Sequence, residues 1–252
     1  MAAFESGEQR WIEQLGDLRN VIRQEMIRRQ LAPLGGPGVS VLDVGSGQGT
    51  QAVELARLGC AVTCLEPSAD LRVLCAGSAA AVGVSVTQIE AALRQAASAC
   101  GGAQFDLVCA HGLLMYLDDR AAAIGQLADL VVPGGRLSIA FRNGDALAAR
   151  PGMRRNWAEA IAAMSDDRYV NGLGVDARAD RLADVEADLQ RAGLTIERWF
   201  GVRVFNDSLP HGSVLPGGED LATLLAAEEL AGARDPYRRF GSLLHVIARR
   251  PA

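Results

Sequence analysis

The sequence predicts an α/β fold with a doubly wound, mostly parallel sheet of seven strands. Short apolar segments alternate with segments of helical periodicity over residues 39–141. Strands that are apolar throughout are typical of a parallel sheet that helices cover on both faces. A glycine-rich turn follows the first of these strands. With 252 residues and 49% hydrophobic content, the chain is long enough to bury one sizeable core.

The N-terminal segment precedes the sheet. Residues 8–32 carry apolar side chains at helical spacing, and the stretch ends before Pro33 and several glycines. This pattern predicts one N-terminal helix and a linker within residues 1–35. The first five strands are then expected at 39–44, 61–66, 84–89, 105–111 and 135–141, with helices at 48–58, 68–81 and 118–130.

The alternation stops after residue 141. Glycine and proline interrupt a short apolar set over residues 142–176, which we expect to form a cap-like insert within a single domain spanning 1–252. The pattern then resumes with a helix at 178–192, a strand at 194–205, a helix at 221–231 and a last strand at 242–249.

Composition excludes several classes of protein. No uncharged apolar run reaches the roughly 18 residues of a membrane helix, and the N-terminus lacks the order of a signal peptide, so we expect a cytoplasmic protein. The five cysteines include no C-x-x-C pair, which predicts buried thiols and no metal site. The net charge of −5 opposes a broad nucleic-acid surface, although a local arginine patch is compatible with it.

The glycine turn has a specific pattern. The motif D-x-G-x-G-x-G begins at Asp43 and includes Gly45, Ser46 and Gly47. Glycines at the carboxyl end of a parallel strand let the backbone approach a ligand, and the next helix presents its first amides there. Thr50 stands where a dinucleotide motif needs glycine, and the G-K-[ST] ending of a P-loop is absent.

Three further features lie where a nucleoside site on this fold needs them. Glu66 ends the second strand, where a carboxylate accepts hydrogen bonds from both ribose hydroxyls. His111 follows the fourth strand, and VVPGGRL (131–137) is expected to turn into the fifth. Together with the glycine motif, these features resemble the Rossmann-like class I methyltransferases that use S-adenosylmethionine (SAM).

The distal half resembles a narrower family, the bacterial tRNA methyltransferases that esterify 5-carboxymethoxyuridine at the wobble position. The resemblance implies that Leu93 lies beside adenine, although the family has a Gln-Asp pair where this chain has Leu93 and Arg94. Leu93 is therefore expected to pack on the adenine ring. The similar segments are GDLR (16–19), AHGLLMYLDD (110–119), FRNG (141–144), FGVRVFNDSL (200–209) and DPYRRFGSLLHVIARRP (235–251). The cofactor-binding residues expected from motif and resemblance are Arg19, Asp43, Gly45, Ser46, Gly47, Glu66, Ala92, Leu93 and His111.

The implied chemistry is attack of a carboxylate oxygen on the SAM methyl group. A carboxylate with a pKa of about 4 is ionised at neutral pH, so no general base is needed. The planar guanidinium of arginine suits carboxylate binding, and we expect Arg203 in the strand 194–205 to orient the acceptor. A solvent-facing strand arginine is the alternative. Tyr116 and Asn143 are further substrate-orienting candidates, with a core aromatic as the alternative for Tyr116.

A tRNA anticodon loop would need a positive surface with aromatic side chains for stacking. Solvated helix faces are the alternative interpretation of the arginines that could supply it. Two other functions remain open: methylation of a small-molecule metabolite by the same domain, and a non-catalytic SAM-binding subunit. The surface candidates are Arg142, Arg150, Arg154, Arg155, Arg234, Arg238 and Arg239, with Trp157 and Tyr237.

Overall fold

The structure is a computed structural model that describes residues 7–210 and 212–252. The strands are β1 (Ser40–Val44), β2 (Ala61–Leu65), β3 (Thr87–Ile89), β4 (Phe105–His111), β5 (Val131–Arg142), β6 (Arg168–Val170), β7 (Asp176–Arg178), β8 (Thr195–Val202) and β9 (Leu243–Arg249). The helices are α1 (Glu8–Glu13), α2 (Leu18–Leu31), α3 (Thr50–Arg57), α4 (Ala69–Ala81), α5 (Ala96–Ala99), α6 (Arg120–Asp129), α7 (Ala149–Met153), α8 (Trp157–Ala163), α9 (Leu182–Arg191) and α10 (Gly218–Gly232).

The central sheet has seven strands in the order β3-β2-β1-β4-β5-β9-β8. The first five are parallel, and β9 pairs antiparallel with both β5 and β8, so β9 alone runs against the other six strands. This confirms the predicted doubly wound, mostly parallel sheet. Strands β6 and β7 form a separate two-stranded sheet in the cap region. The carboxyl ends of β1, β2 and β4 meet at one edge, where parallel α/β sheets bind ligands.

The core lies on both faces of the sheet because the central strands are apolar on both sides. Leu42 of β1 belongs to a cluster with residues of α6 and α9, whereas its neighbour Val41 packs with α2 and α3 on the opposite face. Both side chains are fully buried. Burying one such side chain contributes about 1.5–3 kcal/mol. A third cluster joins α2 to α10, β8 and β9 through Ile22 and Leu225.

The N-terminal segment differs from its prediction, since it forms two helices instead of one. Residues 14–17 make a turn, and the carboxylate of Asp17 accepts the amide N–H of Arg19 to cap α2. An aspartate at this position accepts a hydrogen bond from an amide N–H that has no acceptor within the helix, so it favours the start of a new helix. As a result α1 folds back towards the glycine turn, where the Trp11 indole N–H donates to Gln48 Oε1 at 2.9 Å.

Other boundaries were also wrong, among them the starts of β3 at Thr87 and of α10 at Gly218. Strand β5 starts at Val131, so the Pro-Gly-Gly segment lies within the strand, and the Gly134 amide donates to carbonyl oxygens of the C-terminal residues. The expected helix at 178–192 begins at Leu182, because Arg178 pairs within the β6–β7 hairpin. Strand β8 ends at Val202 instead of continuing to residue 205.

In the described part of the chain, no helix is long and apolar enough to span a bilayer.

Candidate functional site

A cleft of about 1130 Å³ opens at the carboxyl ends of β1, β2 and β4. Its walls come from the glycine turn, from α1 and the start of α2, from the loop after β4, and from the cap segment between β5 and β7. Arg203, which follows β8, completes the wall opposite the glycine turn. The residues that the sequence places far apart therefore meet around one space.

The glycine turn is held by its own amides. The amides of Gly45 and Ser46 donate to the Leu65 carbonyl oxygen at 2.8 and 3.3 Å, and the Gly47 amide donates to Glu66 at 2.9 Å. Gly45 and Gly47 have φ values of +68° and +57°, a region that favours glycine. A Cβ atom added at Gly47 would meet no atom within 4 Å, so the turn faces open space in the cleft.

Glu66 is fixed beside the turn by two backbone amides. One carboxylate oxygen accepts the Gly47 amide at 2.9 Å and the other accepts the Ser68 amide at 3.0 Å. Burial raises the pKa of Glu66, and these two hydrogen bonds partly offset that rise. A carboxylate offers about four lone-pair sites, so about two remain after these bonds. This arrangement fits the neighbouring hydroxyls of a ribose.

Asp43 lies beneath the turn at the end of β1, beside Glu66. Burial, and then the charge of Glu66, raise the pKa of Asp43 to about 7. No guanidinium contributes to this shift, and the strand neighbours of Asp43 are Cys64 and Cys109. The glycine end of the cleft is therefore an environment that disfavours additional negative charge.

His111 belongs to a hydrogen-bonded chain that sequence reasoning missed. Its Nε2 lies 2.9 Å from Ser138 Oγ, Ser138 Oγ lies 2.7 Å from His245 Nε2, and His245 Nδ1 lies 2.6 Å from Gln30 Oε1. Burial lowers the pKa of His245 to about 3 and that of His111 well below its usual value. The Gln30 oxygen accepts, so neutral rings leave His111 Nδ1 as a lone-pair acceptor. Nδ1 is buried and has no partner among the described residues.

The sequence contained one signal for this hydrogen-bonded chain, namely a polar residue within each of two apolar strands. Ser138 and His245 interrupt the apolar runs of β5 and β9, which are buried at nearly every position. Buried polar groups need partners. The sequence could not show that these two strands are adjacent and in register there, nor that Gln30 of α2 reaches them.

The opposite wall of the cleft contains buried guanidinium groups around one carboxylate. Arg142 Nη1 lies 3.3 Å from Asp207 Oδ2, and Arg203 Nη2 lies 3.1 Å from Asp207 Oδ1. Arg203 Nε also donates to Ser242 Oγ at 2.9 Å. Burial raises the pKa of Asp207, but Arg203, followed by Arg142 and Arg150, outweighs burial and holds the pKa well below its usual range. Two guanidinium groups thus share one negative charge.

Two further arginines add positive charge to this wall. Burial, together with the nearby charges of Arg150 and Arg203, lowers the pKa of Arg19 to about 10. Burial also lowers the pKa of Arg150. Asp17 lies 3.9 Å from Arg19 and balances it in part. The arginine wall, defined as Arg19, Arg142, Arg150 and Arg203, is therefore suited to an anion.

Arg203 is held in a way that the sequence did not indicate. It lies beyond the end of β8 with a φ of +58°, neither within an alternating strand nor facing solvent. The turn after it is fixed by Glu228 of α10, which is fully buried and accepts the amides of Val204 and Phe205 at 2.8 and 3.0 Å. Glu228 also accepts from the Asn206 side chain at 2.5 Å.

The two remaining candidates for orienting the substrate, Tyr116 and Asn143, lie in different places. Tyr116 lines the cleft, accepts the Asn171 amide at 2.9 Å, and has a pKa that burial raises to about 12. Asn143 does not line the cleft. It is buried, and its side-chain amide donates to the carbonyl oxygens of Arg239 and Gly241 at 2.9 and 2.8 Å, so the structure gives it a structural role.

Ala92 and Leu93 are not brought to the cleft wall. Both are buried, and Leu93 packs in the core cluster that contains Leu42 and Val44. Among the described residues next to Glu66, Pro67 and Leu71 line the cleft instead. The contact of Ala92 and Leu93 with adenine stays a prediction.

The arginines expected to form an RNA surface lie in different surroundings. Arg142 is buried in the cleft, Arg154 donates to the carbonyl oxygens of Ser208 and Leu209 at 3.0 and 2.6 Å, and Arg238 stacks 3.7 Å from the centre of the Trp199 ring. Arg239 and Arg238 both pair with Asp235. Trp157 and Tyr237 remain exposed, at 63% and 52%.

The chain is similar to known proteins along most of its length. Residues 42–137 match the family described as "Methyltransferase domain". The tRNA 5-carboxymethoxyuridine methyltransferase of Escherichia coli K12 is 31% identical over 238 residues, which cover 94% of this chain and 89% of that protein. The ubiquinone biosynthesis O-methyltransferase of Xylella fastidiosa is 31% identical over 216 residues, or 80% of this chain and 79% of that protein.

The fold is also shared with solved structures. Magnesium protoporphyrin IX methyltransferase from Synechocystis, solved with bound SAH, superposes with a TM-score of 0.64 at 19% identity. The match covers 99% of this chain and 96% of that one. The glycine turn and Glu66 thus lie on the same architecture as in that methyltransferase.

Proposed function

The chain belongs to the SAM-dependent methyltransferases, and we propose that it methylates the carboxylate of 5-carboxymethoxyuridine in tRNA, at the wobble position, to a methyl ester. The observation that carries the acceptor's chemical class is the arginine wall, in which Arg142 and Arg203 share the single carboxylate of Asp207. A buried excess of guanidinium is stabilised by an anionic ligand. The similarity to the E. coli tRNA enzyme supports the identity of the acceptor.

The cofactor is SAM, and the residues of the glycine end fit it. Glu66 would accept hydrogen bonds from the two ribose hydroxyls, while Pro67 and Leu71 would pack against the adenine. His111 Nδ1 would accept a hydrogen bond from the cofactor, since it has a lone pair and no partner in the described chain. The other cofactor contacts that we propose are Arg19, Asp43, Gly45, Ser46 and Gly47.

The reaction needs no proton transfer. When bound, SAM supplies a methyl group on a positively charged sulfur. An acceptor carboxylate oxygen bonds to the methyl carbon, the carbon–sulfur bond breaks with its electrons on sulfur, and the products are a methyl ester and a neutral thioether. Arg203 would orient the carboxylate, and Tyr116 would line the acceptor's path. The rate then derives from positioning and exclusion of water.

The absence of a strong base supports a carboxylate acceptor over a phenol. Among the described residues that line the cleft, Asp43 has a pKa raised to about 7 and so has the chemistry of a general base, but we assign it to the cofactor end. His111 also has this chemistry, but burial lowers its pKa well below the usual value. A base with so low a pKa removes a phenolic proton inefficiently. A carboxylate acceptor requires no such step.

A second candidate function is O-methylation of a small hydroxylated metabolite. His111 Nδ1 favours it, because this atom is an available acceptor within the cleft. The similarity to ubiquinone biosynthesis O-methyltransferases also supports it. In that case the Ser138–His245–Gln30 chain would stabilise a protonated His111 during catalysis.

The two candidates are separated by the chemical stability of the product. The protein is incubated with methyl-labelled SAM and either total tRNA or a small-molecule extract, and the product is treated with mild base. We expect label on tRNA that mild base releases, as an ester requires. Arg203→Ala should abolish transfer while SAM binding persists. Base-stable label on small molecules alone would support the second candidate, and an Arg203→Ala protein with full turnover would remove the role of Arg203.

A further inference from the structure

Arg23 is an arginine in the cleft that neither motif nor resemblance singled out. It lies on α2, one turn after Arg19, so both side chains lie on the same face of the helix. It is half-buried and lines the cleft between the glycine turn and the arginine wall. Burial, together with the nearby charge of Arg203, lowers the pKa of Arg23 to about 10.

Arg23 differs from its neighbours in its partners. Arg142 and Arg203 both pair with Asp207, and Arg203 also donates to Ser242. Arg23, in contrast, has no carboxylate within 4.0 Å in residues 7–210 and 212–252. Its hydrogen bond to protein there is a 3.4 Å contact from Nη2 to the His111 carbonyl oxygen. A guanidinium has five N–H donors, so most of the donor capacity of this cleft-lining side chain has no protein partner among the described residues.

The guanidinium of Arg23 is nevertheless held in place. Its Cζ lies 5.0 Å from the centre of the Trp11 ring, and the Trp11 indole is fixed by its hydrogen bond to Gln48 of the glycine turn. Arg23 Nη2 also lies close to Gly112. A Cβ atom added at Gly112 would lie only 3.3 Å from Nη2, so the glycine leaves room for the guanidinium. A cation–π contact and the space beside a glycine thus orient the planar group.

We propose that Arg23 binds the carboxylate of the methyl acceptor, together with Arg203. This inference rests on the proposed function and adds a residue to it. An oriented, half-buried guanidinium without a protein carboxylate is prepared for a planar anion. Arg203 is already engaged by Asp207 and Ser242, so Arg23 supplies the donors that Arg203 cannot. The methionine carboxylate of SAM is the other carboxylate that could reach this position.

The first test measures discrimination between an acid and its neutral ester. The SAH-loaded protein is titrated by calorimetry with 5-carboxymethoxyuridine and with its methyl ester. We expect the wild type to bind the acid more tightly than the ester. In Arg23→Gln the affinity for the acid should fall about 10- to 100-fold, while the affinity for the ester stays unchanged. Arg23→Lys should recover part of it. Arg28→Gln is the control, because Arg28 lies on the same helix and pairs with Glu25.

The outcomes identify which carboxylate Arg23 binds. If Arg23→Gln weakens SAH binding and leaves the acid preference intact, Arg23 serves the cofactor and the inference is overturned. It is also overturned if neither affinity changes. If the wild type itself shows no preference for the acid, the proposed function fails independently of Arg23.

A second test does not depend on the acceptor. Sodium formate is titrated into the SAH-loaded protein while the Nε–H signals of arginine side chains are followed by NMR, with Arg23 assigned from the Arg23→Lys spectrum. We expect formate to shift the Arg23 signal and leave the Arg28 signal in place. An unshifted Arg23 signal would overturn the inference whatever the acceptor.

Discussion

Two buried aspartates, one at the glycine end of the cleft and one behind its arginine wall, have opposite electrostatic surroundings. At the glycine end, Asp43 has Glu66 and two cysteine-bearing strands as neighbours, and its pKa is raised to about 7. At the arginine wall, Asp207 has the guanidinium groups of Arg142 and Arg203, and its pKa is held well below the usual range. One fold therefore provides a site for a cation and a site for an anion within one space.

This contrast explains how a charged donor and a charged acceptor are brought together. The glycine end has the neighbouring carboxylates of Asp43 and Glu66, of which Glu66 also has the guanidinium of Arg72 nearby, and we expect this end to favour the sulfonium of SAM. Among the described residues, Arg142 and Arg203 of the arginine wall share the one carboxylate of Asp207, so we expect this wall to favour an anionic acceptor. In the proposed reaction, charge complementarity would position each reactant at its own end, which is the contribution that a reaction without proton transfer requires.

The largest effect is expected from removing the negative charge of the arginine wall. Asp207→Asn leaves two buried guanidinium groups without their shared partner. We expect the free energy of unfolding to fall by about 3–5 kcal/mol, measured by urea denaturation. Asp235→Asn is the control, since Asp235 also pairs with two arginines but at the exposed surface. Its unfolding should match the wild type. Equal stability of both variants would show that the wall is not desolvated.

The next effect is the pH dependence of the glycine end. Because burial raises the pKa of Asp43 above its unfolded value, its contribution to stability is present below about pH 4 and is lost as the pH rises through about 7. The wild type should lose up to roughly 4 kcal/mol of this contribution between pH 4 and 8. Asp43→Asn should flatten the curve, whereas Asp70→Asn, on an exposed turn of α4, should keep the wild-type slope. Parallel curves for all three proteins would contradict the raised pKa.

Glu66 tests the glycine end by ligand binding. Glu66→Ala removes the proposed acceptor of the two ribose hydroxyls, and we expect the Kd for SAM to rise about 100-fold in equilibrium dialysis. Glu90→Ala is the matched control, because Glu90 follows the neighbouring strand, is 72% exposed and pairs with Arg72. A rise of less than threefold in Glu66→Ala would place the ribose elsewhere.

The smallest effect is expected outside the cleft. Trp157 at the start of α8 is 63% exposed, and stacking of a tRNA base on it is consistent with the proposed acceptor. Trp157→Ala should raise the KM for tRNA about fivefold or more and leave the KM for SAM unchanged. Val73→Ala, at a 70% exposed position of α4, is the control. An unchanged KM for tRNA would remove this surface from the acceptor site.

The two ends of the cleft also differ in how far the sequence predicted them. At the glycine end, each functional residue follows a strand within a local motif, and parallel strands bring their carboxyl ends to one edge. Asp43, Gly47 and Glu66 could therefore be placed together from the sequence. The fold class followed from the same alternation of strands and helices.

The arginine wall could not be predicted in this way. Arg142 is far in the sequence from Arg203 and Asp207, and their meeting depends on β9, which pairs with both β5 and β8. The left-handed conformation of Arg203 depends on hydrogen bonds from the turn after it to Glu228, on a helix that no motif linked to it. The partners of Asn143 could not be predicted either, since they are carbonyl groups distant in the sequence.

The central claim is that the cleft binds a sulfonium nucleoside at its glycine end, next to an anion site. Calorimetric titration of SAH into the purified wild-type protein tests it most directly. We predict heat that saturates at one SAH per chain, with an affinity that Arg203→Ala leaves unchanged. Absence of binding heat with SAH, and equally with SAM, would contradict the account.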